Sequence, residues 1–99
     1  MDKRLTHFCT LLKEQKFYEA HEILEEVWFG RRFEDDDEIK FLKGLINASV
    51  SFELKKRGRV GASKKVWKNY LKYRQLFYRF SSPYKNSYYE TMRFIDSFF

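Results

Sequence analysis

The chain has 99 residues, 43% of them hydrophobic and 20% aromatic, a length that fits one domain with a modest core and a composition that excludes a disordered chain. A single cysteine, Cys9, excludes an internal disulfide and a cysteine-based zinc site, and no apolar run approaches the ~20 residues that span a bilayer. The net charge of +6 hides a split: residues 1–54 carry eight Lys/Arg against twelve Asp/Glu, and residues 55–99 carry twelve against two.

Leu5, Phe8, Leu11 and Leu12 recur at helical spacing and predict a first helix over about 3–14, with Gln15 and Lys16 as a corner. A second helix is predicted from Phe17 to Phe29. Its apolar stripe is Phe17, Ala20, Ile23, Leu24, Val27 and Trp28, with Glu19, Glu22 and Glu26 opposite and Gly30 as the stop. The acidic run Glu34-Asp35-Asp36-Asp37-Glu38 fits a helix start, with Asp35 and Glu38 as a capping box. It lacks the glycine and ligand alternation of a calcium loop.

The third helix, Asp37 to Lys56, is apolar over most of its circumference through Ile39, Phe41, Leu42, Leu45, Ile46, Val50, Phe52 and Leu54. Only Lys40, Gly44, Asn47, Ser51 and Lys55 form a polar or small strip, so this helix belongs at the centre. Glu53 falls inside the apolar arc and needs a partner if buried, with Arg57 one turn on as the candidate. Gly58 is the expected stop. A fourth helix is predicted over about 60–80, with Gly61, Ala62 and Ser63 small enough for close approach and Val66, Trp67, Tyr70, Leu71, Tyr73 and Phe77 as packing residues. Ser82 and Pro83 mark a cap and first position, and Tyr88, Met92, Ile95 and Phe99 give a last amphipathic helix. The expected fold is all-α: one domain over 1–99, a bundle of about five helices around a buried central helix at about 37–56.

At Phe17-Tyr18-Glu19-Ala20-His21-Glu22-Ile23-Leu24-Glu25-Glu26-Val27-Trp28 the sequence resembles the small helical family catalogued as domain of unknown function 309. That family's pattern runs aromatic-aromatic-Glu-Ala-His-Glu-x-Leu-Glu-x-x-Trp. Phe41-Leu42-Lys43-Gly44-Leu45-Ile46 and Arg57-Gly58-x-x-Gly61-Ala62 are similar to its second and third blocks, in the same order and spacing. The likeness covers roughly residues 5–80, with Lys43, Asn47 and Arg59 departing from the family's usual residues. It implies an all-helical fold around a buried central helix and implies no activity.

The best candidate for chemistry is His21-Glu22-x-x-Glu25-x-x-Trp28, because positions i, i+4 and i+7 share one flank of a helix. One reading is a hydrogen-bonded histidine at the core edge. A second makes His21, Glu25 and Trp28 one wall of a ligand pocket opposite Lys43, Gly44 and Asn47: Gly44 gives room, Asn47 hydrogen bonds and Lys43 a cation for an anionic ligand. A third is a metal-dependent hydrolase using His21 and Glu25, but a catalytic zinc needs three protein ligands and His7 is the only other histidine. No cofactor is expected.

The stretch Lys55–Arg79 holds ten Lys/Arg, no Asp/Glu and interleaved rings. It reads either as a solvated basic face partly paired with the acidic second helix, or as a polyanion (RNA) contact through Lys64, Lys65, Lys68 and Lys72. The sequence therefore points to a non-catalytic ligand- or partner-binding module with its site between helices two and three, and polyanion binding by the basic helix as the alternative. The start of the chain is not a signal-peptide core, so the cytoplasm is the expected compartment. The many rings point to a homodimer, although AT-rich coding bias gives the same composition.

Overall fold

Half of the twenty residues of the third helix are buried, and the rest of the chain is arranged to bury them. The computed structural model describes residues 1–98. Its elements are α1 (Asp2–Lys13), α2 (Phe17–Arg31), α3 (Asp37–Lys56), α4 (Val60–Arg74), a 3-10 segment (Gln75–Arg79) and α5 (Lys85–Phe98), with no strand among the described residues. The all-α bundle around α3 is thus as the apolar periodicities predict. Phe99, assigned to the last stripe from sequence, lies outside the described residues.

Side-chain spacing explains what each helix buries. Leu5, Phe8, Leu11 and Leu12 of α1 are all buried, as are Phe17, Ala20 and Leu24 of α2, with Ile23, Val27 and Trp28 half-buried beside them. From α3, Phe41, Leu42, Leu45, Ile46, Ala48 and Phe52 enter the same core. Tyr70 of α4 and Tyr88, Met92 and Ile95 of α5 close it. Rings do much of the packing. Phe41 meets Phe77, Phe80 and Tyr88 at centroid distances of 5.8, 5.6 and 5.4 Å. At the other end Phe52 meets Phe17, Trp67 and Phe98 at 5.6, 5.8 and 5.0 Å. Leu71, expected to pack, instead faces outward.

The helix ends are set by local hydrogen bonding. After α3, Gly58 adopts φ +79°. Its N–H donates to Lys55 O at 3.0 Å and that of Arg59 to Leu54 O at 2.8 Å, the paired bonds of a Schellman stop. The same pair closes α1, from Gln15 to Leu12 O and from Lys16 to Leu11 O, but there a glutamine holds φ +60°. Gly30 is not a stop: α2 continues through Arg31.

The cap of α3 is Asp36 rather than Asp35. Asp36 Oδ1 accepts from the N–H groups of Glu38 and Ile39, while Asp35 pairs outside with Lys40 at 2.7 Å. Helix four also ends earlier than periodicity suggests, passing into the 3-10 segment at Gln75. The segment ends at Arg79, Phe80 is extended, and Phe77 and Phe80 both reach Phe41. Lys85 stabilises the break: its ammonium donates to the carbonyls of Phe77 and Phe80 and lies 4.2 and 4.0 Å from their ring centroids. Ser82 Oγ accepts from Tyr84 N–H at 3.1 Å, but it caps a turn rather than the helix: α5 begins at Lys85, so Pro83 is not its first position.

The closest helix contact is α3 on α4. A Cβ built at Gly44 would lie 2.7 Å from Tyr73 Cβ. Two turns further along the same face, Ser51 Oγ donates to Ser63 O at 2.9 Å and Ser63 Oγ to Ser51 O at 2.8 Å. Small residues at Gly44, Ser51 and Ser63 let the two backbones meet. Gly61, expected to share this role, has open space around it.

Two stability predictions follow from these backbones. Gly44→Ala places a methyl group into Tyr73, so overpacking exceeds the gain in helix propensity and net stability falls by about 1–2 kcal/mol. A thermal melt followed by circular dichroism should show a lower Tm, and an unchanged or higher one contradicts the close approach. Gln15→Gly relieves the left-handed backbone and should raise stability by about 0.5–1 kcal/mol, measurable in the same melt.

Candidate functional site

Between Ile39 and Leu54, the residues of α3 that are not buried are Lys40, Lys43, Asn47, Val50, Glu53 and Leu54. Apart from Glu53 they fall at i, i+3, i+7, i+10 and i+14, which is one line along the helix. This differs from the strip read from the sequence. Gly44 and Ser51 are turned into α4, and Lys43 and Val50 take their places. The open line has α2 on one side, through Trp28 against Lys43, and α4 on the other, through Tyr73 and Ser63. Glu53 lies at the edge, half-buried, and Arg57 Nε donates to its Oε1 at 3.0 Å, so the expected partner is in place.

Two contacts organise the α2 side. His21 Nε2 and Glu25 Oε2 are in direct contact across one turn, both partly exposed, and the Tyr18 ring lies 5.8 Å from the imidazole. The structure therefore brings His21 and Glu25 together at the rim of the core. Seven residues after His21, Trp28 takes the Lys43 ammonium over its ring at 4.1 Å. Asn47 sits one turn beyond Lys43 and uses its Nδ2 to donate to Lys43 O at 2.9 Å. Gly44, expected to make room here, instead serves the α3–α4 contact. The five residues lie on two adjoining helices, joined across them by the indole–ammonium contact.

Lys64, Lys65, Lys68 and Lys72 are all exposed on the outer face of α4. None has a carboxylate partner among the described residues. Two of the four acids of α2 pair elsewhere: Glu26 with Arg4 at 2.9 Å and Glu25 with His21. The pairing of the basic helix with α2 suggested by the sequence is thus not made among the described residues. Of the rings interleaved with these charges, Tyr70 is buried, Trp67 packs on Phe52 and Tyr73 packs on Gly44, while Tyr78, beyond α4, is exposed.

Two polar centres escaped the sequence reading. Glu38, expected in a capping box, accepts from Ser82 Oγ at 3.0 Å and Tyr88 OH at 2.9 Å and so ties the C-terminal segment to α3. Its cleft, of about 300 Å³, is shared with Arg4, Arg31, Leu42 and Tyr84. Asp96 accepts from Tyr70 OH at 2.8 Å and Arg74 Nε at 3.0 Å, fixing α5 on α4. The acidic run and the i, i+4 pattern carry no trace of these long-range partners.

A cleft of about 650 Å³ runs between α1 and α5, lined in part by Leu5, Cys9, Glu90, Thr91 and Phe94. Burial pushes the Cys9 thiol above its ordinary pKa. Among the described residues no three His, Cys, Asp or Glu side chains gather so as to hold a metal ion. His21 and Glu25 therefore supply two donors where a catalytic zinc needs three.

These features describe an all-helical protein with a mixed-charge, half-exposed line on its central helix. The family model described as Domain of unknown function (DUF309) matches residues 5–66, and the chain belongs to that family. The match contains all three sequence blocks. No curated protein and no solved structure matches the chain. No helix among the described residues is long and apolar enough to cross a membrane.

The two buried phenols predict a pH response. Burial, then hydrogen bonding to Asp96 or Glu38, raises Tyr70 and Tyr88 well above the ordinary tyrosine value of 10.0. The folded state holds these protons more tightly than the unfolded one. Their contribution is complete below pH 10 and declines as pH rises beyond it. Stability should fall above about pH 10, and Tyr70→Phe with Tyr88→Phe should flatten that fall in urea titrations. An equally steep fall in the double variant removes this explanation.

Proposed function

We propose that the chain is a non-catalytic binding module whose site is the open line of α3 together with the adjoining edge of α2. His21, Glu25 and Trp28 form the α2 edge, and Lys43 and Asn47 form the floor. The observation that carries the reading is the Lys43 ammonium held over Trp28 without a carboxylate partner among the described residues. An ammonium in this position is fixed by the ring face and keeps N–H donors available to an anionic group. Asn47 spends one N–H on its own helix, which leaves its side-chain oxygen as an acceptor beside that cation. The His21–Glu25 pair adds a hydrogen-bonding edge one to two turns away along α2. Convergent polar groups flanked by an aromatic face suit a small anionic ligand or an acidic side chain of a partner.

The test is a nuclear magnetic resonance titration with a panel of small carboxylates and phosphates. Binding at this site shifts the Trp28 indole N–H and the Asn47 side-chain amide first. Lys43→Ala and Asn47→Ala should each weaken binding about tenfold or more, the worth of one charge-assisted hydrogen bond, while Tm stays near that of the parent. Shifts confined to other surfaces, or variants whose only defect is unfolding, would remove the site.

A further inference from the structure

The outward face of α2 is not the one that meets α3. Tyr18, Glu22, Glu25 and Phe29 fall at i, i+4, i+7 and i+11 and share one line of the helix. Tyr18 and Phe29, at its two ends, are 56% and 55% exposed. Glu22, Glu25, Glu26 and Phe29 line a shallow hollow of about 350 Å³ there. Glu22 has no partner among the described residues. Glu25 pairs with His21 and the Arg32 guanidinium lies 3.6 Å from the Phe29 ring centroid, so the stripe offers a large ring at each end with the carboxylate of Glu22 open between them.

The outward face of α4 carries the matching pattern. Val60, Lys64, Lys68 and Leu71 fall at i, i+4, i+8 and i+11. Val60 and Leu71, the ends, are 48% and 44% exposed, and neither lysine has a carboxylate partner among the described residues. In both stripes the apolar ends stand eleven residues apart, about 16 Å along a helix. Laid against each other in either direction, the apolar ends meet and the carboxylates fall opposite the lysines. Lys65 and Lys72 flank one stripe, and Glu26, which pairs with Arg4 on its own molecule, flanks the other.

One molecule cannot satisfy its own pattern, because α2 and α4 pack on different sides of the open line of α3. We propose that the exposed face of α2 docks on the exposed face of α4 of a second copy of this chain. Two different faces meeting make a heterologous contact, which leaves one face of each kind free at the ends to receive further copies. A contact of this size lies at the small end of specific interfaces, so association depends on protein concentration, and its opposed charges make it weaken with salt. The proposal goes beyond the binding reading above and does not need it: the two share Glu25, but docking uses no residue of α3.

Sedimentation velocity over a wide protein concentration range, at about 50 mM and about 500 mM salt, tests it. The average mass of the parent should rise with concentration at low salt and less so at high salt. Two charge-reversed variants are compared: Lys64→Glu with Lys68→Glu, and Glu22→Lys with Glu26→Lys, the latter leaving the His21–Glu25 pair intact. Each alone opposes like charges and should lose association at least about tenfold. Mixed together, each variant offers the face the other lacks, and association returns. Phe29→Ala, an exposed truncation that leaves the core untouched, should also weaken association. A parent that stays monomeric at low salt overturns the proposal, as do reversed variants that associate like the parent, or that fail to recover on mixing while circular dichroism shows both folded. Salt-sensitive binding of a short RNA through Lys64 and Lys68 by a monomeric parent likewise overturns it and gives that face to a polyanion.

Discussion

The contact of α3 with α4 governs the rest of the molecule. At Gly44 there is no side chain between the central helix and Tyr73, and at Ser51 and Ser63 the two hydroxyls reach across to each other's carbonyls. Backbones this close leave no space for water, so the polar groups trapped there must satisfy one another. They do, and among the described residues no buried side-chain polar atom is left without a partner. With α4 held in that register, Tyr70 reaches Asp96 and Trp67 reaches Phe52. The 3-10 segment then delivers Phe77 and Phe80 to Phe41. The open line of α3 is what remains once α4 has taken Gly44 and Ser51.

Features that depend on neighbours in sequence were legible. The stripes of α1 and α2 predict their buried residues, because helical phase alone sorts inside from outside. The near-continuous apolar surface of α3 predicts its central place. Gly58 reads as a stop because the left-handed turn after a helix favours glycine, yet Gln15 adopts the same turn, and nothing in the Glu14-Gln15-Lys16 string announces it. Its backbone carbonyl receives Lys56, a partner forty-one positions away.

Misread features depend on distant residues. Glu38 has the spacing of a capping box, but two hydroxyls from positions 82 and 88 claim its carboxylate. Helix four carries apolar residues on through Phe80, but Lys85 holds the carbonyls exposed by the break. For the candidate site, the His21–Glu25 contact follows from i, i+4 spacing. The Trp28–Lys43 contact does not, because it needs the relative register of two helices. The position of Gly44 shows the same limit: sequence marks it as a place with room for a ligand, but Tyr73 of α4 takes that room.

The stretch that matches the family model ends at residue 66, partway along α4. Yet Tyr70, Phe77, Tyr88, Met92 and Ile95, which lie beyond it, sit in the same core as Leu5 and Leu45. The stretch matched by the family model and the packed core therefore have different boundaries. A fragment trimmed to the matched stretch would keep the His21–Glu25 contact and lose the rings that cover Phe41, together with both of the hydroxyl donors to Glu38. What labels the protein as a family member is shorter than what it needs to stand upright.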